Sequence, residues 1–91
     1  MITSLSVTVK NNPVITNILE IECKVIENGN YILEIVDLQG KVATVAKWTV
    51  TSDGEQTFDF EIPIQNFISG AYLLLMHSTT QKFSAKFVIQ R

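Results

Sequence analysis

Residues 18–37 read ILEIECKVIENGNYILEIVD, and this stretch decides the fold. Leu19, Ile21, Cys23 and Val25 alternate with Glu20, Glu22 and Lys24, an apolar face against a charged one at a period of two. Successive side chains of a strand point to opposite faces, so the pattern is that of a half-buried strand. On a helix the same residues would scatter around the whole circumference. Asn28-Gly29 then separates this strand, Ile18–Ile26, from a second apolar run, Tyr31–Asp37. Asn-Gly accepts positive φ at both central positions of a tight type I′ turn, so the dipeptide is a hairpin signal.

Working outward, the same period recurs. Phe58, Phe60 and Ile62 alternate with Asp59 and Glu61, and Phe83, Ala85, Phe87 and Ile89 alternate with Ser84, Lys86, Val88 and Gln90. Strands are expected over Leu5–Val9, Val42–Val50, Thr57–Ile62, Ala71–His77 and Lys82–Gln90. Gly40, Asp53-Gly54 and Ser78–Gln81 supply reversals between them. Pro63 to Gly70 is longer and carries Ile64, Phe67 and Ile68, so it reads as a crossover packed under the core edge.

The composition agrees. Of 91 residues, 29 are Val, Ile or Thr, and only 11 are Ala or Leu. Stiff β-branched side chains suit a pleated surface. Seven short strands in one domain of this size indicate an all-β fold: an immunoglobulin-like, seven-stranded antiparallel two-sheet β-sandwich. Local turn signals leave open which turns close hairpins and which cross between sheets.

The same arithmetic removes several functions. The net charge is −2, with no basic excess to neutralise phosphates, so nucleic acid is not an expected partner. A single Cys excludes a disulfide framework and a zinc cluster. The longest apolar run, Ala71–Met76, is too short for a spanning helix, and no membrane insertion is expected. The first residues show no charged-then-apolar leader pattern.

No catalytic constellation emerges. His77 is the only histidine, and Ser78, Thr79 and Thr80 beside it lack the separate base and orienting group that a nucleophile needs. Cys23 lies on the apolar face of its strand, where a thiol behaves as a small hydrophobe. Glu20 and Glu22 share a solvent face with Lys24, and Asp37, Asp53 and Asp59 show no EF-hand spacing, although a calcium site built from sandwich loops stays open. No phosphate-cradling glycine motif is present, so no catalytic, metal or cofactor residue is assigned, and no cofactor is expected. Trp48 shares a face with Val42, Thr44, Ala46 and Val50, so core packing is its expected role, with an indole N–H that needs a partner. Tyr72, opening the sixth strand, reads as a tyrosine corner, its hydroxyl tying down the preceding connection.

Four motifs in order then carry a resemblance. Leu5–Val9 is followed by Asn12-Pro13-Val14 and Ile18-Leu19-Glu20-Ile21. Ile35-Val36-Asp37-Leu38-Gln39-Gly40-Lys41 is an aliphatic strand ending in Asp-x-x-Gly-Lys. Ser69-Gly70-Ala71-Tyr72 leads into Leu73-Leu74, and a lysine-bearing apolar strand, Lys82–Arg91, closes the chain. Together they resemble the type A C-terminal sorting domains of the type IX (Por) secretion system of Bacteroidota. Asn11 stands where that family often has a second proline.

The resemblance implies a signal domain, not an enzyme. It would direct a cargo protein across the outer membrane and then typically be cleaved by a surface sortase. Its expected partners are the type IX translocon and sortase proteins and an upstream cargo domain. Its expected location is the periplasm in transit, then the cell surface or the medium. Residues 1–4 are read as a linker from the cargo or a cloning start, and residues 5–91 as the sorting domain. Lys86, Phe87, Val88, Ile89 and Arg91, a basic strand ending an acidic chain, are the expected recognition element, with the strand edge open to a partner. Asn12, Pro13, Asp37, Gly40, Gly70 and Tyr72 are expected mainly to maintain the fold. The alternative is a carbohydrate-binding or adhesive sandwich module, for which Trp48 and Tyr31 are the candidate stacking aromatics.

Overall fold

The structure, a computed structural model, describes residues 5–91, so the reading of residues 1–4 lies outside the described residues. Seven strands follow one another: β1 (Leu5–Val9), β2 (Ile18–Val25), β3 (Gly29–Asp37), β4 (Val42–Val50), β5 (Gln56–Pro63), β6 (Gly70–His77) and β7 (Lys82–Ile89). They form a three-stranded sheet ordered β1-β2-β5 and a four-stranded sheet ordered β4-β3-β6-β7, with every strand pair antiparallel. This is an immunoglobulin-like β-sandwich.

The alternating residues face one another as the period of two requires. Leu19, Ile21, Cys23 and Val25 of β2 are fully buried against Leu33 and Ile35 of β3, Leu74 and Met76 of β6, and Phe87 and Ile89 of β7. Between them the charged Glu20, Glu22 and Lys24 of β2 and Asp59 and Glu61 of β5 face outward.

The hairpin signalled at Asn28-Gly29 does not form, and this is one of the turns that cross between sheets. β2 pairs with β1 and β5, and β3 with β4 and β6, so residues 26–28 cross between sheets. Asn28 keeps negative φ, so the turn is not type I′. Asp53-Gly54 also joins strands of different sheets. The two crossing loops instead bond each other: the Asn28 N–H donates to Asp53 Oδ1 at 3.0 Å, and the Gly54 N–H to the Ile26 carbonyl at 2.9 Å. Consecutive strands pair at β1–β2, across the 10–17 loop, at β3–β4, turning at Gly40, and at β6–β7, turning at 78–81.

A register shift opposite Leu33/Glu34 adds one residue to β4, a β-bulge. The bulge reverses which side chains face inward, and this overturns the single face expected for β4. Val45, Ala46 and Trp48 pack on the core and Val50 is buried in it, while Val42 and Thr44 point to solvent.

Candidate recognition site

All strands run pole to pole, so the sequence motifs, scattered along the chain, collect at one end. That pole holds the β1–β2 loop, the β3–β4 turn, the 64–69 connection and the end of β7.

Asp37 builds the β3–β4 turn. Its Oδ1 accepts the N–H groups of Gln39 and Lys41, each at 2.9 Å, and the Gly40 N–H donates to its carbonyl at 3.0 Å. An aspartate reaching its own backbone two residues on is an Asx turn. Gly40 sits at φ 86°, leaving Leu38 at the tip 83% exposed.

The crossover before β6 is pinned from inside. Ile64 is fully buried and its N–H donates to the Asn17 carbonyl at 2.8 Å. Phe67 meets the Tyr72 ring edge-on at 5.8 Å, and Phe87 stacks on its other side at 5.6 Å. The Tyr72 hydroxyl donates to the Ile68 carbonyl at 2.7 Å, the geometry of a tyrosine corner. Ile64 and Phe67 pack under the core edge, but Ile68, grouped with them in the sequence reading, is 78% exposed. Its carbonyl is held by Tyr72 while its side chain points out.

The Asn12-Pro13 element, joined by a cis peptide bond, lies against β7. The Val14 N–H donates to the Val88 carbonyl at 2.7 Å, the Gln90 N–H to the Val14 carbonyl at 2.8 Å, and the Val88 N–H to Asn12 Oδ1 at 3.1 Å. Val14 is fully buried. The β7 edge is therefore covered at residues 88–90, so the edge expected to be open along the recognition strand is closed at its C-terminal end. Asn11 contributes two bonds the sequence reading missed: its side chain accepts the Glu20 N–H at 3.0 Å and donates to the Ile18 carbonyl at 2.9 Å.

Arg91 closes the pole. Its guanidinium donates to Asn17 Oδ1 at 3.0 Å and to the carbonyls of Ile64, at 3.2 Å, Thr16, at 3.5 Å, and Phe67. Its N–H donates to Ser69 Oγ at 3.2 Å, and the Ser69 hydroxyl donates back to the Arg91 carbonyl. A fork of five donors suits several carbonyls converging at loop ends. Of the residues expected to meet a partner, Arg91 is thus engaged within the domain, and Phe87 and Ile89 are 1% exposed core residues. Lys86 and Val88 present their side chains outward from the strand, and Arg91 is exposed but bonded within the domain.

Sequence reasoning also missed a second corner. The Tyr31 hydroxyl donates to the Glu27 carbonyl at 2.7 Å, at the opposite pole. Its signal was the repeated spacing: Gly29-Asn30-Tyr31 and Gly70-Ala71-Tyr72. Burial, then the charges of Glu27 and Asp53, push the Tyr31 hydroxyl above its ordinary pKa. Tyr31 is 1% exposed and stacks on Trp48 at 5.6 Å, and Trp48 also meets Phe60 at 4.8 Å and Phe58 at 5.9 Å. These aromatics bridge β4 and β5 across the gap between the sheets, so Tyr31 offers no ring face to a glycan. The Trp48 Nε1–H is buried and meets no acceptor among the described residues.

The remaining chemical candidates do not converge. His77 Nε2 lies 3.1 Å from Glu34 Oε1 on the outer face of the larger sheet. Burial, then Asp59 and Glu22, push the Cys23 thiol up to about 12, leaving it protonated and inert at neutral pH. Among the described residues no group of three His, Cys, Asp or Glu is placed to hold a metal ion, and no helix is long and apolar enough to cross a membrane.

The fold is thus an immunoglobulin-like sandwich whose sequence motifs gather at one hydrogen-bonded pole. The family model described as the secretion system C-terminal sorting domain matches residues 8–90, nearly the whole chain. The chain belongs to that family, the sorting domains of type IX secretion. A search of curated proteins returned no match. Membership makes the domain a sorting signal that works with the type IX machinery and carries an attached cargo to the cell surface or the medium. The family is not one of enzymes.

Proposed function

We propose that the folded domain is read by the type IX translocon after its cargo has reached the periplasm, and that a surface sortase then separates domain from cargo. The family match over residues 8–90 carries this reading. Within it, Lys86 and Val88 are the members of the last strand that meet the machinery, because their side chains face solvent. Phe87, Ile89 and Arg91 act earlier, by holding β7 and its pole in the form that is read. Asn12, Pro13, Asp37, Gly40, Gly70 and Tyr72 maintain that pole.

The test is an export assay. A fluorescent reporter with a signal peptide is fused ahead of residues 1–91 and expressed in a type IX-proficient bacterium and in its translocon-null derivative. Surface or medium fluorescence that requires the translocon is the expected result. Periplasmic retention in both strains overturns the reading.

A further inference from the structure

The two outer faces of the sandwich differ in kind. On the three-stranded sheet the outward residues include Glu20 and Glu22 of β2 and Asp59 and Glu61 of β5, an ordinary solvated surface. On the four-stranded sheet the outward positions of the two central strands include Ile32 and Val36 of β3 and Leu73 and Leu75 of β6, all partly exposed, with Glu34 and His77 paired beside Leu75 and Ile32. Val36 lies between Val42 and Leu73 in register, and Ala71 sits beside Val88. Val42 is 53% exposed and Val88 41%. Among the described residues no element lies over this face.

The edge strands carry the charge. Lys47 on β4 and Lys82 and Lys86 on β7 are exposed and flank the apolar centre. The only carboxylate on the central strands of this face, Glu34, is bonded to His77. An apolar centre inside a charged rim is the anatomy of a protein interface, and the sign of the rim selects the partner.

We infer that the outer face of the β4-β3-β6-β7 sheet docks a component of the secretion machinery whose own surface has an apolar centre and an acidic rim; this rests on the sorting function proposed above. A second copy fits poorly. Face to face, two copies set lysine rims around one centre with only the paired Glu34 groups to offset them. The acidic face of the other sheet offers a second copy no apolar centre.

The reporter fusion tests this with three double variants: Leu73→Thr with Leu75→Thr, Lys82→Glu with Lys86→Glu, and a control, Glu20→Gln with Glu61→Gln, on the opposite face. Circular dichroism melts of the isolated domains establish that each folds; any that does not is replaced by the single variant Leu75→Thr or Lys86→Gln. Losing two central apolar side chains should lower translocon-dependent export by about tenfold or more. The charge reversal should lower it severalfold, and the control should export as wild type. A photo-crosslinking residue at position 75 should form an adduct with a translocon component, lost in the lysine variant.

Wild-type export with unimpaired export of both face variants overturns the docking face and leaves the sorting function standing. Absence of wild-type export in the proficient strain overturns the sorting function, and the docking face with it. Dimerisation of the purified domain in sedimentation, or its flotation with vesicles of anionic phospholipid, either one abolished by the face variants, assigns the face to a second copy or to a membrane and overturns the protein partner.

Discussion

The molecule contains the same corner twice. Gly29-Asn30-Tyr31 and Gly70-Ala71-Tyr72 both start a strand just after the chain has crossed from the smaller sheet to the larger. Each tyrosine donates to a carbonyl four residues back at 2.7 Å, and each ring stacks on an aromatic neighbour at 5.6 Å. Each glycine holds a backbone angle that L side chains rarely adopt, φ 144° at Gly29 and 154° at Gly70. What differs is the surroundings. The Tyr31 corner is braced by a second crossing loop through Asp53, whereas the Tyr72 corner is closed by Arg91, brought in at the end of the last strand. Gly-x-Tyr is therefore a device for joining a sheet after a crossing, and the presence of Tyr72 in a family motif needs no partner contact to explain it.

The largest way to break this equivalence is to empty both corners. Tyr31→Ala and Tyr72→Ala should each cost about 3–5 kcal/mol in urea unfolding, the range for a buried aromatic. A much smaller loss at one corner would mean the two are not alike.

Backbone strain comes next. Gly29→Ala and Gly70→Ala should each cost on the order of 1–3 kcal/mol. No atom lies within 4 Å of a Cβ built at either position, so the cost is conformational and not steric, and d-alanine introduced by chemical synthesis should restore stability.

Arg91→Ala should cost roughly 1–2 kcal/mol, by removing a fork of hydrogen bonds that is partly open to water. Arg91→Lys should recover little of it, since a point charge cannot reach several carbonyls at once. Hydrogen exchange should then rise around residues 64–69 and leave the Tyr31 pole unchanged, which separates the corners directly.

The smallest effects sharpen the comparison. Tyr31→Phe and Tyr72→Phe should each cost about 1 kcal/mol for one lost hydrogen bond. Tyr31 adds a pH signature. Its pKa is raised in the fold, so its contribution is complete below the unfolded value, near 10, and is lost as pH rises through the folded value. Alkaline melts of Tyr31→Phe should show a shallower loss than wild type. A Cys23→Val background keeps the thiol, raised to about 12, from titrating in the same window.

Much of this was readable in the chain. The alternation at 19–25 identified the buried face of β2 residue by residue, because a strand's side-chain period is local. Asn28-Gly29 misled for the opposite reason. Its local signal is a turn, but whether a turn closes a hairpin depends on which strands find each other, and β5 outcompetes β3 as the partner of β2. Val45 was hidden in the same way, since a bulge shows only when a neighbouring strand sets the register. Of the expected recognition strand, Lys86 and Val88 point outward, while Arg91 is diverted by three carbonyls from two distant segments, the β1–β2 loop and the 64–69 connection.

By itself, then, the sequence determined the strands, the inward faces of the regular ones, the sandwich and the family, because each rests on periodicity or on short motifs in order. Only the tertiary structure decided that Val14 covers the β7 edge, that Arg91 is a clip, and that Val36, Leu73 and Leu75 share an outer face with Lys86. Those facts are pairings between residues far apart in the chain. They follow from the free energy of the whole packed assembly, which no local pattern carries.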